Sequence, residues 1–245
     1  MPLNWSRAAL AEAIGTFALT FIGLFAISGG RLVGSPEVAS LTTIALAHGL
    51  TILVMIAALG AVSGAHFNPA VTFGFVAVGR MPLGMGAVYW AAQLAGATLA
   101  GFLVAAMFGA EPVAAGTPDL GRGVDFGGGV ALEVVATFFL VLVIFGSAVD
   151  QRAPKSIFPV AIGLTVALDI MAIGPLTGAA MNPARVFGPA LASGHWDNHL
   201  LYWIGPLLGG FLGAAAQHYL LMERAPSTLV GVRGGPSPEE ERGHR

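Results

Sequence analysis

The chain has 245 residues, of which 56% are apolar and only 10% charged, with a formal net charge of −2. A water-soluble domain carries about a quarter charged residues, so this composition excludes an ordinary soluble protein and makes lipid the solvent. The absence of cysteine removes disulfides and thiolate metal sites, and without basic clusters nucleic acid is not an expected partner.

The first apolar run covers 8–28, just after Arg7. It lacks a small-residue cleavage site before polar sequence and reads as a first span, not a cleaved signal peptide. Glu12 lies inside it, followed by Thr16-Phe17. A second run covers 39–60 and contains His48. Next comes Ser-Gly-Ala-His-Phe-Asn-Pro-Ala, with His66, Asn68, Pro69 and Ala70, and an apolar segment over 68–79. That segment is too short to cross a membrane and suits half of one. A third run, 84–108, precedes a Gly- and Pro-rich connection read as loop.

The second half repeats the order. A run over 129–149 carries Glu133 and Thr137-Phe138, and a run over 158–175 contains Asp169 and Ile170. Thr-Gly-Ala-Ala-Met-Asn-Pro-Ala-Arg follows, with Ala179, Asn182, Pro183, Ala184 and Arg185, and opens a short segment over 182–192. A last run covers 200–222, and 224–245 is a Pro-, Gly- and charge-rich stretch that reads as a disordered, solvated tail. The expected fold is therefore an all-α membrane protein of six transmembrane helices plus two re-entrant half-helices. A channel domain over 1–223 is expected to consist of repeats at about 7–109 and 129–222. Three spans per repeat is an odd number, so the copies are inverted, with the site where broken helices meet. Lys and Arg place both termini on the cytoplasmic side: Arg7, Arg80, Arg152, Lys155 and the tail arginines fall inside, Arg31 and Arg122 outside.

Asn-Pro has a structural logic in this setting. Proline suits the first turn of a helix, where its missing N–H costs nothing, and asparagine before it is a favoured N-cap. The side-chain oxygen caps, which leaves the amide NH₂ free to donate. A single Asn-Pro is equally well an ordinary turn; two, in inverted halves beside half-length helices, predict two helix starts meeting at mid-membrane. Their positive dipole ends would favour a lone-pair oxygen and repel cations, and the non-helical backbone leading in is tolerable only beside a wet cavity.

These motifs, with Glu-x-x-x-Thr-Phe opening each half, resemble the aquaporin (major intrinsic protein) family over about residues 7–222. The resemblance implies a homotetramer with one pore per subunit, which passes water or small neutral solutes and excludes protons. It also implies a four-residue filter, carried over by spacing to His48, Ile170, Ala179 and Arg185. His-Ile-Ala-Arg is similar to the filter of plant tonoplast intrinsic proteins, associated with water plus ammonia or urea. The glycerol-type branch has Asp after the filter arginine and Pro in the sixth span, where this chain has Val186 and Tyr202-Trp203.

Several polar residues keep two readings. Glu12 and Glu133 are either proton relays or, as the family implies, acceptors for the loop before each half-helix, which His66 also orients. Arg185 is a filter cation or a snorkelling one. His48 is a filter residue or a hydrogen-bonded core histidine. Asp169, one helical step from Ile170, either makes a structural hydrogen bond to another helix or acts near the filter. The expectation is a passive channel in the cell membrane, not an enzyme, with neither cofactor nor metal. Water would bond to Asn68, Asn182, Arg185 and the carbonyls of 63–67 and 177–181. The rivals are a glycerol/urea-type facilitator of the same family and, from other classes, a coupled secondary transporter and a purely structural junction or adhesion membrane protein, which the short loops and polar pore line disfavour.

Overall fold

The computed structural model describes residues 4–32 and 39–223; the tail lies outside them. The described residues form helices joined by loops, with no strand among them. The first half comprises α1 (Trp5–Leu32), α2 (Leu41–Ser63), α3 (Pro69–Ala77) and α4 (Leu83–Phe108). A short α5 (Ala110–Gly116) follows. The second half comprises α6 (Phe126–Ile144), α7 (Phe158–Thr177), α8 (Pro183–Ser193) and α9 (Leu201–Ala215). Among the described residues, five helices are long and apolar enough to cross a membrane unaided. The sixth span is α9 with the π-helical turns that continue it to Leu221; α6 likewise ends in π-helical turns, Phe145–Val149.

Local chemistry sets the ends. Ser40 caps α2 by accepting from Thr43 N, and Asp125 caps α6 by accepting from Gly128 N. Gly64 and Gly178 end α2 and α7 at φ of 85° and 79°, the left-handed region that favours glycine because it lacks a Cβ. These glycines turn the chain out of each span and into the loop before a half-helix.

Packing shows the repeat. Helix α1 packs on α4 as α6 packs on α9, and each half-helix rests on the last span of the other half, α3 on α9 and α8 on α4. The halves join where α2 meets α7. There a Cβ on Gly49 would stand 2.5 Å from the Gly163 carbonyl, and one on Gly163 would stand 2.5 Å from that of Gly49. Backbones this close need glycine on both helices.

One element departs from the sequence reading. The connection after α4, read as loop, contains α5. Gly109 and Gly116 bound it and Pro112 lies in its first turn, so turn-forming composition hid a single helical turn and more. Ser28 of α1 donates to Pro112 O at 2.7 Å and fixes α5 against the first span.

Candidate functional site

Asn68 and Asn182 begin the half-helices. Both have extended backbone, with φ of −156° and −147°. Asn68 Oδ1 accepts from Ala70 N at 2.8 Å; Asn182 Oδ1 accepts from Ala184 N at 3.0 Å and Arg185 N at 3.3 Å. The amides are not wholly free, which corrects the sequence reading. Asn68 Nδ2 donates to Met181 O at 2.8 Å and Asn182 Nδ2 to Phe67 O at 2.9 Å. The two loops are thus stitched across the pseudo-twofold axis, and each amide keeps one N–H for the lumen.

The loops before the asparagines have unusual backbone. Ala65 and Phe67 lie at φ of 53° and 50°, Ala179 and Met181 at 45° and 51°. Left-handed non-glycine residues cost about 1–3 kcal/mol each and persist only where surroundings hold them. Here a buried glutamate holds each loop by its N–H groups. Glu12 Oε1 accepts from Ser63 Oγ (2.7 Å) and His66 N (2.9 Å), and Oε2 from Phe67 N (2.6 Å) and Gln93 Nε2 (2.8 Å). Glu133 Oε1 accepts from Thr177 Oγ1 (2.7 Å) and Ala180 N (2.9 Å), and Oε2 from Met181 N (2.7 Å). His66 and Ala180 turn their N–H groups to the glutamates, while Ala65 and Ala179 turn theirs to Ser63 Oγ (3.0 Å) and Thr177 Oγ1 (3.1 Å); with Gly64 these residues line the cavity. Ser63 O and Thr177 O are taken by the hydroxyls of Tyr89 (2.6 Å) and Tyr202 (2.8 Å). The expected carbonyl ladder is therefore shorter than the two pentapeptides, since protein donors engage both ends of each.

His66 stands between these parts. Its Nδ1 is 3.0 Å from Thr72 Oγ1, and its ring lies 4.4 Å from that of Phe75 and 5.3 Å from that of Tyr89. Gln93 donates to Thr72 Oγ1 as well as to Glu12. The second half has no match for this extension, because Val186 stands where Thr72 does in the first.

His48, Ile170, Ala179 and Arg185 line one end of a single cavity of about 80 Å³. All four are buried. His48 Nδ1 is 2.8 Å from Ile44 O, which can only accept, so that nitrogen carries the hydrogen and Nε2 presents a lone pair. His48 Nε2 lies 3.5 Å from Arg185 Nη2, and Arg185 Nη1 donates to Gly116 O at 3.1 Å. Helix α5 thus supplies the carbonyl that aims the guanidinium. Gly23 makes room for the imidazole: a Cβ there would lie 2.4 Å from His48 Nε2. From this end the lining passes Asn182 and Asn68, then Val71 and Phe75, and reaches Ala148 and Phe158 at the opposite mouth.

The opposite mouth is tied by charge. The Arg152 guanidinium donates to both oxygens of Asp150 and, at 3.0 Å, to Leu221 O at the end of the last span. That contact lowers the Asp150 carboxyl to about 2. Lys155 Nζ donates to Ala148 O at 3.0 Å.

Asp169 does not join the cavity, and the expected structural bond is missing. Its Oδ2 is buried without a hydrogen-bond partner among the described residues. The sequence reading also missed Gln93, Tyr89 and Gly116, and took Tyr202 only as a departure from the glycerol-type branch. A signal existed for the tyrosines, which recur at nearly the same distance after each Asn-Pro; nothing marked Gly116.

The model of the major intrinsic protein family matches residues 2–217. Similar curated proteins include "Aquaporin TIP4-4" of Zea mays, 46% identical over 88% of this chain and 87% of that protein. "Aquaporin TIP2-1" of Arabidopsis thaliana is 41% identical over 84% of each. Among solved structures, the aquaglyceroporin from Plasmodium falciparum superposes with a TM-score of 0.76 at 24% identity, over 89% of this chain and 97% of that one. At that identity the likeness concerns the fold.

Proposed function

The chain belongs to the major intrinsic protein family, and from that premise we propose that it is a passive, proton-excluding channel for water that also passes ammonia. The observation that carries this reading is the single cavity running from His48 and Arg185, past both asparagines, to Phe158. Such a lining gives water a polar strip and leaves most of the wall apolar, so water is not held tightly at any point.

Water enters past Arg185, whose guanidinium is aimed by Gly116 O and repels cations while it donates to a neutral oxygen. At mid-pore the oxygen of a passing water accepts from the remaining amide hydrogens of Asn68 and Asn182. Helices α3 and α8, each roughly 14–17 Å long, point their N-termini there, so about one elementary charge of dipole potential opposes hydronium. The free carbonyls of the two loops accept the water hydrogens on either side. Ile170 and Ala179 keep the filter wider and less polar than bulkier or polar residues would, which suits ammonia. Val186, directly after Arg185, leaves no carboxylate for a polyol, so water and ammonia are favoured over glycerol.

The arrangement disfavours the coupled-transporter reading, because Glu12 and Glu133 are engaged by loop donors and neither lines the cavity. The four filter residues, the two Asn-Pro-Ala boxes and the two supporting glutamates are proposed in these roles, in a homotetramer with one pore per subunit. Lys and Arg distribution supports cytoplasmic termini, and the cell membrane is the proposed location. The test is ammonia-driven alkalinisation inside proteoliposomes. Faster alkalinisation than in protein-free vesicles is expected; enhanced water flux with ammonia uptake at the protein-free rate would restrict the channel to water.

A further inference from the structure

On the face of the channel where Arg185 lies, the segment after α5 meets the segment after α8. Asp119 belongs to the first, His195 and Asp197 to the second. His195 Nε2 lies 3.3 Å from Asp119 Oδ2, and His195 Nδ1 lies 3.8 Å from Asp197 Oδ2. One ligand atom from each of the three residues falls within 4.8 Å of the others. We propose that Asp119, His195 and Asp197 form a binding site for a divalent transition-metal ion of the zinc type at this mouth of the channel.

Geometry and donor chemistry both support the assignment. A tetrahedral zinc ion with ligands at about 2.0–2.1 Å holds its ligand atoms roughly 3.3–3.4 Å apart, which is the separation of Asp119 Oδ2 and His195 Nε2. Asp119 is also oriented from behind. Its Oδ1 accepts from Leu120 N at 2.7 Å and Asn198 Nδ2 at 2.8 Å, so Oδ2 is the oxygen turned to the imidazole. Donors that fix the non-ligating atom of a ligand are a regular part of metal sites. Asp197 is mostly exposed, at 76% of its side chain, and stands beside the other ring nitrogen, Nδ1; rotation of its side chain carries the carboxylate to the Nε2 side, where it meets the ion, and water completes the shell. A mixed imidazole and carboxylate set suits zinc, copper or nickel more than calcium or magnesium. The sequence hides the site, because Asp119 stands far from the His-x-Asp pair.

The ion would join the segment that follows Gly116, whose carbonyl aims Arg185, to the segment that follows α8, which carries Arg185. The site stands apart from the pore lining and does not depend on which solute passes. The test is calorimetric titration of tag-free, full-length protein in detergent with zinc chloride at neutral pH. One equivalent per chain is expected, weakened by at least about tenfold in His195→Ala and Asp119→Asn, and by a comparable factor in Asn198→Ala, which releases Asp119. Metal-free water permeability equal to wild type certifies the fold of each variant. Should either ligand variant lose it, Asp197→Asn, at an exposed position, takes its place. No one-equivalent site in the wild type, or variants that bind as the wild type does, would overturn the assignment.

Discussion

Replacing Glu12 by alanine removes the acceptor for four buried donors at once: Ser63 Oγ, His66 N, Phe67 N and Gln93 Nε2. The hydroxyl can rotate and Gln93 retains Thr72 Oγ1, but the two backbone N–H groups cannot turn without the loop. An unsatisfied buried donor costs about 1–3 kcal/mol, so the pair costs about 2–6 kcal/mol before any cavity is counted. Glutamine is milder. Its one oxygen serves one side, Ser63 Oγ can turn to accept from its NH₂, and a single N–H is orphaned, at about 1–3 kcal/mol. Ala65 N is held by Ser63 Oγ at 3.0 Å, itself bound to Glu12, and Phe67 keeps the cross-loop bond from Asn182 Nδ2; with the carboxylate gone the left-handed stretch loses its common anchor, so the loop relaxes and its carbonyls leave the lumen. Thermal unfolding in detergent should rank wild type above Glu12→Gln above Glu12→Ala, and stopped-flow water permeability should fall in the same order. An alanine variant as stable and as permeable as wild type would refute the view that the carboxylate holds the pore loop.

Four further outcomes follow from the geometry. Arg185→Val, which copies the first-half residue Val71, removes the filter cation and its anchor to Gly116 O; proton leak under an imposed potential should rise, and leak at the protein-free level would assign the whole barrier to the asparagine pair. Combining His48→Phe with Ile170→His narrows the filter and should cut ammonia uptake more than water flux, whereas an unchanged ratio would move the filter elsewhere. Gly49→Ala forces a methyl to within 2.5 Å of the Gly163 carbonyl and should destabilise the fold by about 1–3 kcal/mol, read as a lowered unfolding temperature. Asp150, held at about 2 by the Arg152 guanidinium, has a folded value below its unfolded one, so its tie is present above about pH 4 and is lost as pH falls through about 2. Arg152→Ala should return the Asp150 carboxyl titration, followed by NMR, towards the ordinary carboxylate range.

The legible part of this protein was its periodic and punctuated part. Lipid as solvent forces long apolar helices, so the spans were visible as composition, and the half-helices were visible as runs too short to cross. Asn-Pro could be read because capping is local: the backbone N–H groups that donate to each asparagine oxygen lie two and three residues away. Glu12 and Glu133 stood out because carboxylates in apolar spans need a reason. Long-range partners did not stand out. Gln93 is an ordinary polar residue in α4, and Gly116 contributes only a carbonyl, which no side-chain pattern encodes. Tyr89 and Tyr202 resemble membrane-interface aromatics until their hydroxyls are seen on Ser63 O and Thr177 O. The asparagine amides were read as free because the crossing to Phe67 O and Met181 O spans the two halves of the chain. Asp169 remains without a bond at its buried oxygen among the described residues, and nothing in the described fold accounts for it.

Passive conduction of water through one cavity in each chain underlies every role proposed above. Stopped-flow shrinkage of proteoliposomes under an osmotic gradient, measured across a range of temperatures, tests it most directly. Water permeability should rise in proportion to the protein reconstituted and depend only weakly on temperature, as befits transit through a pre-formed pore. Permeability equal to that of protein-free vesicles, with the steep temperature dependence of passage through lipid, would contradict it.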